Sequence, residues 1–255
     1  MSIDTAADHR RILVEGTFNF RDTGGYRAAT GRTRWGKLFR SDALHELTAA
    51  GQAALADRAV GVIIDLRTAD ERGTAPSELA GLGAVVHHVP IFDSTPTTLD
   101  IRLDDIYAGM IDQHGTRLAE AVGRIAASGA DPVVVHCTAG KDRTGLVIAL
   151  AQLAVGVDED DVIADYVATE QHLRGEWADR MLARYLAAGR SLPPEIRTIL
   201  TASPAPLIEH VIERLHDKWG SPREYLLAHG RTDTEIRTLT ALLVDTAENV
   251  ERNPR

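Results

Sequence analysis

The chain of 255 residues contains a single cysteine. No intramolecular disulfide can form, and nothing in the cysteine usage asks for an oxidising compartment. Positive charge is also short: 28 basic residues stand against 37 acidic ones, a formal charge of −9. Generic nucleic-acid binding needs a basic field that this balance does not supply. A small anion held in one local basic pocket is compatible with it. Lysine is scarce, three residues against 25 arginines, a ratio that reflects coding bias more readily than function. No stretch approaches the roughly 20 unbroken apolar residues that a bilayer requires. Stable membrane insertion is therefore not expected, and without a polybasic run the chain should bind anionic membranes weakly at best. Met1 to Arg11 lacks the apolar centre of a secretory signal, so a cytoplasmic location is the expectation, with export by another route left open. What is present is ordinary for a globular protein, with 44% apolar and 25% charged residues. Disorder and collagen-like repetition are excluded, and the length can bury a sizeable core.

Two apolar runs rich in β-branched residues read as buried strands, Val60 to Leu66 and Asp131 to Cys137, with Ala84 to Ile91 as a third. Helical patterns lie between them. Leu47 to Arg58 is alanine-rich with Thr48 as a plausible N-cap, and Ile101 to Ala127 is one long helix or two broken near His114-Gly115. Thr144 to Val155 is apolar nearly all round and should be buried. Alternating strands and helices predict an α/β fold with a mostly parallel central sheet flanked by helices. Residues 13–40, with Gly24, Gly25 and Gly31, read as short strands and turns. From Asp158 onward the pattern is almost wholly helical. Ser221-Pro222-Arg223-Glu224 and Thr232 to Glu235 carry capping-box spacing, and Gly220 marks a helix end. A single domain over residues 1–255 is expected, with a core at 13–170 and a helical C-terminal extension at 171–255.

The informative segment is Val133 to Gly145, V-V-V-H-C-T-A-G-K-D-R-T-G. A lone cysteine is more often a buried small hydrophobe than a nucleophile. With 25 arginines in 255 residues, an arginine at a given distance from it is accidental about one time in ten. The placement adds what the spacing lacks. Cys137 ends an apolar strand, a polar loop with Gly140 follows, and an apolar helix starts near Thr144. A loop wound between a strand end and a helix N-terminus turns successive backbone N–H groups inward, which makes a cradle for an oxyanion. Gly140 permits the tight path, and Arg143 can offer a bidentate fork to two phosphoryl oxygens. The same N–H groups stabilise a thiolate, and a thiolate beneath a bound phosphate is a nucleophile aimed at phosphorus. The loop residues Thr138, Ala139, Gly140 and Lys141 are candidate substrate binders. Thr144 can hydrogen-bond the cysteine sulfur, and His136 shapes the loop from beneath. A nucleotide P-loop is ruled out because Asp142 follows Gly140-Lys141 where a Ser or Thr is needed.

His136 to Gly145 resembles the signature loop of cysteine-dependent protein-tyrosine and dual-specificity phosphatases. More narrowly, it is similar to the bacterial tyrosine/phosphoinositide phosphatases of the mycobacterial tyrosine phosphatase B type. Phe18-Asn19-Phe20-Arg21-Asp22-Thr23-Gly24-Gly25-Tyr26, Leu38 to Asp42 and Ile64 to Arg67 follow that family's pattern in the same order. The resemblance covers residues 13–170 well and Ser221 to Val244 more loosely. It implies a tyrosine-phosphatase-like fold, no metal or other cofactor, hydrolysis through a phosphocysteine, and a phosphorylated protein or a phosphoinositide as substrate. It also implies helices beyond the loop that cover the site.

The leaving group needs a proton and the second step needs a base. The Trp-Pro-Asp loop that commonly supplies this acid is absent. Asp142 lies in the signature loop and is the first candidate, either as acid or as the partner that orients Arg143. Asp93, after the third strand, resembles the mobile acid loop of lipid phosphatases. Asp65 ends a strand and is the last candidate, equally able to pair with Arg67 or Arg40.

Arg32, Arg34, Lys37 and Arg40 form a basic stretch that reads either as a wall for anionic head groups or, more simply, as a solvated hairpin, with Arg40 able to reach the pocket. Lys141 is a second cation placed to meet an extra phosphate. His87 and His88 point to opposite faces of a strand and cannot readily share an ion. Trp177, Met181, Leu182, Tyr185 and Leu186 recur on a helical spacing ahead of Gly189 and Pro193-Pro194, either as core or as a mobile cover. Two other classes stay open beside the phosphatase: a phosphate-binding module without a working acid, and a sulfurtransferase, which the Lys-Asp-Arg-Thr-Gly continuation disfavours. The oligomeric state is not legible.

Overall fold

The structure, a computed structural model, describes residues 8–94, 102–189 and 191–246. The chain opens with four short strands, β1 (Arg21–Asp22), β2 (Arg27–Ala28), β3 (Gly31–Thr33) and β4 (Leu38–Ser41). Helix α1 (Ala49–Ala56), β5 (Val62–Asp65), α2 (Ala69–Thr74) and β6 (Val85–His88) follow. Next come α3 (Leu103–Gln113), α4 (Gly115–Ala126), β7 (Val133–His136) and α5 (Asp142–Ala154). The remainder holds α6 (Glu159–Leu173), α7 (Glu176–Ala187), α8 (Pro194–Thr201), α9 (Ala205–Trp219), α10 (Pro222–Ala228), α11 (Asp233–Leu243) and β8 (Val244–Thr246).

The main sheet runs β1-β4-β7-β5-β6, with β4, β7, β5 and β6 parallel and β1 antiparallel on its edge. β7 is central, so its side chains are covered on both faces. Val133 and Val135 enter the larger apolar cluster, whereas Val134 packs with Phe20, Phe39, Leu44, Leu55 and Ile63 on the opposite face. A strand covered on both sides favours apolar residues on both faces, which is why Val133 to Val135 form a continuous β-branched run rather than an alternation, with buried His136 at the end beside Asp65. The expected third buried strand is a correction. β6 lies at the sheet edge, with Val85 and Val86 exposed, and only Val89 and Ile91 beyond it reach the core. An edge strand has one neighbour, so an apolar run there need not be covered.

Local signals explain most boundaries. Thr48 caps α1 by accepting from Gly51 N at 3.2 Å, and Thr232 forms a reciprocal capping box with Glu235. Ser221 accepts from Glu224 N at 3.1 Å, and Gly220 ends α9 in the left-handed region at φ 82°. The long helical pattern breaks at His114 into α3 and α4, as one of the two readings had it. The break is where Gly115 lies against His229: a Cβ there would sit 2.3 Å from the ring nitrogen. Helices α9 to α11 bring Ile208, Val211, Leu215, Tyr225, Leu226 and Leu239 into the same cluster as Val133, Val135 and α5. β8 pairs with β3. The C-terminal helices thus complete the core that supports the central strand.

Candidate active site

The polar loop 137–141 joins the end of β7 to the start of α5. Register places His136 beside Ser41 of β4 and Asp65 of β5, so the loop rises from the carboxyl ends of three parallel strands. Cys137 is buried at its base. Gly140 has φ +65°, and a Cβ added there would come within 2.3 Å of Ser41 O and 2.7 Å of Asp42 N. Both the conformation and the backbone contact exclude a side chain. Gly140→Ala is expected to displace the loop, lowering kcat/KM by about a hundredfold or more, the scale of losing an oxyanion donor. Steady-state kinetics on the folded variant would check this, and near-native activity would contradict the strain argument.

Three peptide planes of the loop are pinned from outside. Thr138 O accepts from Ala43 N at 3.1 Å, and Ala139 O accepts from Asn19 Nδ2 at 3.0 Å. Gly140 O accepts from Asn19 Nδ2 at 3.2 Å and from Arg40 Nη2 at 2.7 Å. In a trans peptide the C=O and N–H point in opposite directions. Drawing these three carbonyls outward therefore turns the N–H groups of Ala139, Gly140 and Lys141 inward, above Cys137 and at the N-terminus of α5. Thr144, on the first turn of α5, is buried, and its Oγ1 has no hydrogen-bond partner among the described residues.

Arg143 is held by a residue that the sequence reading missed. Its Nη1 and Nη2 donate to Glu71 Oε2 and Oε1 at 2.6 and 2.8 Å. Thr138 Oγ1 donates to the same Oε1 at 2.5 Å. Glu71 in turn belongs to the capping box of α2, accepting from Thr68 N at 2.9 Å. The clamp occupies the terminal end of the guanidinium and leaves its Nε edge for an oxyanion. Burial works to raise the Glu71 carboxyl, but the bonds and charge of Arg143, then Thr138 and Thr68, outweigh it and hold the group at about 2. Burial likewise opposes the Arg143 charge, and the Glu71 bonds with the Cys137 and Glu71 charges push it above the usual guanidinium range. The Thr68-x-x-Glu71 spacing after a strand end was the available signal.

The expected acids fall in different places. Asp142 does not pair with Arg143: its Oδ1 accepts from Lys141 Nζ at 2.7 Å and from the Tyr107 hydroxyl at 2.8 Å. Lys141 is consequently not a free cation at the rim, since its side chain is 1% exposed and tied to the next residue. Asp65 is buried and bonded twice by Arg67 Nε, at 3.0 and 3.2 Å, and by Arg67 Nη2 at 2.8 Å. Burial tends to raise it, but His136 and Arg67 bring its carboxyl below the ordinary value. His136 is fully buried, and that burial lowers it to about 4, so it is a neutral support beneath the loop. Asp93 is exposed on the bend after β6. Its neighbour Phe92 presents its ring 5.9 Å from the Arg143 guanidinium carbon, which brings this bend to the pocket.

The basic stretch does not form a wall at the site. Arg34 pairs with Asp245, Lys37 Nζ donates to Gly129 O and Asp131 O, and Arg40 lies behind the loop rather than in the pocket. His88 Nε2 meets Arg67 O, and His216 pairs with Glu159. Among the described residues no group of three or more His, Cys, Asp or Glu is arranged to hold a metal ion, and no helix is long and apolar enough to cross a membrane. Beside Thr138, helix α7 brings Trp177, Arg180, Met181 and Arg184 to a recess lined by Gly16, Phe18 and Ala43. Arg180 and Arg184 both donate to Glu46, at 2.8 and 3.2 Å. A cleft of about 280 Å³ continues past Thr138 between His45, Arg67, Asp70 and Glu71.

The profile of the tyrosine phosphatase family matches residues 12–245. A protein of Cupriavidus necator named as a tyrosine-protein phosphatase is 31% identical, with 82% of this chain and 80% of that protein covered. The tyrosine-protein phosphatase of Nostoc commune is 28% identical, covering 80% of this chain and 73% of its own. The triple specificity protein phosphatase PtpB of Mycobacterium tuberculosis is 29% identical over 74% of this chain and 80% of its own. With a cysteine under inward-turned amides, an arginine fork at the helix start and a family match over nearly the whole chain, this protein belongs to the tyrosine phosphatase family and is a protein-tyrosine phosphatase.

Proposed function

We propose that the chain hydrolyses phosphomonoesters through a phosphocysteine, without a metal, and that phosphotyrosine is its principal substrate. The observation that carries this reading is the set of pinned carbonyls, which aims three N–H groups into the loop that holds Cys137. Thr138, Ala139, Gly140 and Lys141 contribute that backbone, and the free edge of Arg143 takes two further phosphoryl oxygens. The Cys137 sulfur forms a bond to phosphorus as the phosphorus–oxygen bond to the tyrosyl group breaks. The departing oxygen takes a proton from a carboxylic acid, and the resulting carboxylate then accepts a proton from the water that attacks the phosphocysteine. The Thr144 hydroxyl, which has no hydrogen-bond partner among the described residues, donates to the sulfur as it leaves.

Asp93 suits the acid role better than Asp142, because Asp142 Oδ1 is engaged twice while Asp93 is exposed on a bend beside Phe92. Asp65 serves as an anchor for Arg67. Asp93→Asn should lower kcat by about 10²-fold or more. The loss should be larger for phosphoserine peptides than for p-nitrophenyl phosphate, since a poor leaving group depends more on its proton. An effect independent of leaving group, with the graded loss found instead in Asp142→Asn, would return the role to Asp142.

The words triple specificity in the name of PtpB support a range wider than phosphotyrosine as a second reading, phosphoserine and phosphothreonine first, with phosphoinositides following only from the resemblance of the signature loop. The engagement of Lys141 by Asp142 weighs against the phosphoinositide part, because the cation expected to meet a second phosphate is internally paired. We read the protein as one domain, with α7 and α8 covering the site and α9 to α11 completing its core. The deciding experiment is a rapid acid quench during turnover in excess EDTA, followed by mass spectrometry of the Cys137 peptide. A phosphoryl group on Cys137 is the expected result. Turnover that EDTA abolishes, or a Cys137 peptide that never carries the group, would overturn the mechanism.

A further inference from the structure

A buried charged network runs from α6 to the back of the loop, and the mechanism above does not use it. Asp165 Oδ2 accepts from Arg40 Nη1 at 2.5 Å and Asp165 Oδ1 accepts from Arg21 Nε at 3.0 Å. Arg21 Nη2 also donates to Asp165 O at 2.8 Å and to Thr169 Oγ1 at 2.9 Å. All three charged side chains are no more than 2% exposed. Burying two guanidinium groups and a carboxylate is costly even when they are paired, and a well-packed apolar set would often be at least as stable. Stability alone is therefore a poor reason for the cluster, and its outward-facing bonds suggest another.

Those bonds lead to the loop. Arg40 Nη2 donates to Gly140 O at 2.7 Å, and Arg21 Nη1 donates to Asn19 Oδ1. Because Oδ1 of Asn19 is occupied by a donor, its Nδ2 must face the other way, where it reaches Ala139 O and Gly140 O. The Asn19 backbone is fixed as well: Asn19 N and Phe18 N donate to Asp42 Oδ1 at 2.9 and 3.0 Å. The orientation of one amide is thus determined on every side by buried partners.

We propose that Asn19, directed by Arg21, and Arg40, both organised by Asp165, are positioning residues that set the direction of the loop N–H groups and so the affinity of the cradle for a tetrahedral oxyanion. Asn19 and Arg40 meet the loop at its carbonyls, on the side away from the inward-turned N–H groups. Each of these two acts through a carbonyl on the far side of a peptide plane, Arg21 acts through Asn19, and Asp165 acts through the two arginines. The inference rests on the phosphate-cradle reading above and adds which residues create the cradle.

Asn19→Asp isolates the effect. The carboxylate has nearly the same shape, still accepts from Arg21, and has no donor for Ala139 O or Gly140 O. Its second oxygen would instead repel those carbonyls and release the two peptide planes. The measurement is the tungstate dissociation constant by calorimetry, beside kcat and KM for p-nitrophenyl phosphate and the thermal midpoint. The folded variant is expected to bind tungstate at least about tenfold more weakly and to lose kcat, as when an oxyanion donor is misdirected. A merely structural residue would move the thermal midpoint and leave the tungstate affinity of the folded protein unchanged, and that result overturns the proposal. Should Asn19→Asp not fold, Arg40→Lys keeps a cation opposite Asp165 but lacks the fork that joins Asp165 to Gly140 O. A folded Arg40→Lys with wild-type tungstate affinity would then overturn it. Wild-type protein that binds no tungstate would remove the cradle reading and this inference together, whereas wild-type binding with an unaltered Asn19→Asp removes the inference alone.

Discussion

Cys137→Ser should abolish phosphate release from p-nitrophenyl phosphate and phosphotyrosine peptide, by a factor of at least about 10⁴, while oxyanion binding survives. The magnitude follows from what the substitution removes: nucleophile deletions in enzymes with covalent intermediates cost on that order or more. Among the described residues no base is hydrogen-bonded to the Cys137 side chain, so a serine hydroxyl there lacks the partner that would take its proton. His136 is buried beneath the loop, lowered to about 4, and its Nδ1 faces Cys137 O at 3.4 Å. The cradle consists of backbone amides whose partners lie on other segments, so tungstate or phosphate should bind the variant much as it binds the wild type. Assaying both proteins in excess EDTA removes contaminating metal phosphatases from the comparison. Turnover that persists in Cys137→Ser would sink cysteine-based phosphoryl transfer. A silent wild type that still binds phosphate would make the protein a binding module.

The second large effect is expected at Arg143. Lysine keeps the charge but replaces a planar fork by a single ammonium, so it cannot hold Glu71 and two phosphoryl oxygens together. Arg143→Lys should therefore lower kcat/KM by about 10²- to 10³-fold, as other losses of oxyanion stabilisation do. Glu71→Gln should cost less, because an amide oxygen still accepts one of the two bonds. Its clearer signature is in stability against pH. The Glu71 carboxyl has a folded-state value of about 2 against an ordinary 4.5. Its contribution is fully present above about 4.5 and is lost as pH falls towards 2, because the unfolded chain takes up the proton first. Urea midpoints between pH 5 and 2.5 should fall less steeply for Glu71→Gln than for wild type. Parallel curves would show that the clamp contributes no pH-dependent stability.

How much of this was legible beforehand depended on distance along the chain. The strand ending at Cys137, the glycine turn at Gly140 and the buried helix after Arg143 are contiguous, so their periodicity and turn chemistry are visible in the run Val133 to Gly145. The segments Phe18 to Tyr26, Leu38 to Asp42 and Ile64 to Arg67 were recognisable by resemblance. Their work was not, because a motif names residues without showing which atoms meet. Arg40, read as able to reach the pocket, lies behind the loop on Gly140 O. Lys141 was expected at the rim and is buried against Asp142. Ala84 to Ile91 read as a buried strand because apolar composition does not say whether a strand has one neighbour or two.

The amino-acid sequence by itself determined the α/β layering and the strand–loop–helix run that carries Cys137 and Arg143, the proposed nucleophile and fork, because each is written in local periodicity, turn residues or one short motif. Only the tertiary structure decided what holds that loop in shape. Asn19 reaches Ala139 across 120 residues, Arg40 reaches Gly140 across 100, and Glu71 reaches Arg143 across 72. Those meetings exist because β4, β7 and β5 lie side by side with their carboxyl ends together. A charged side chain can be assigned as anchor, clamp or acid only after the fold has placed its partner and excluded the water that would otherwise replace it.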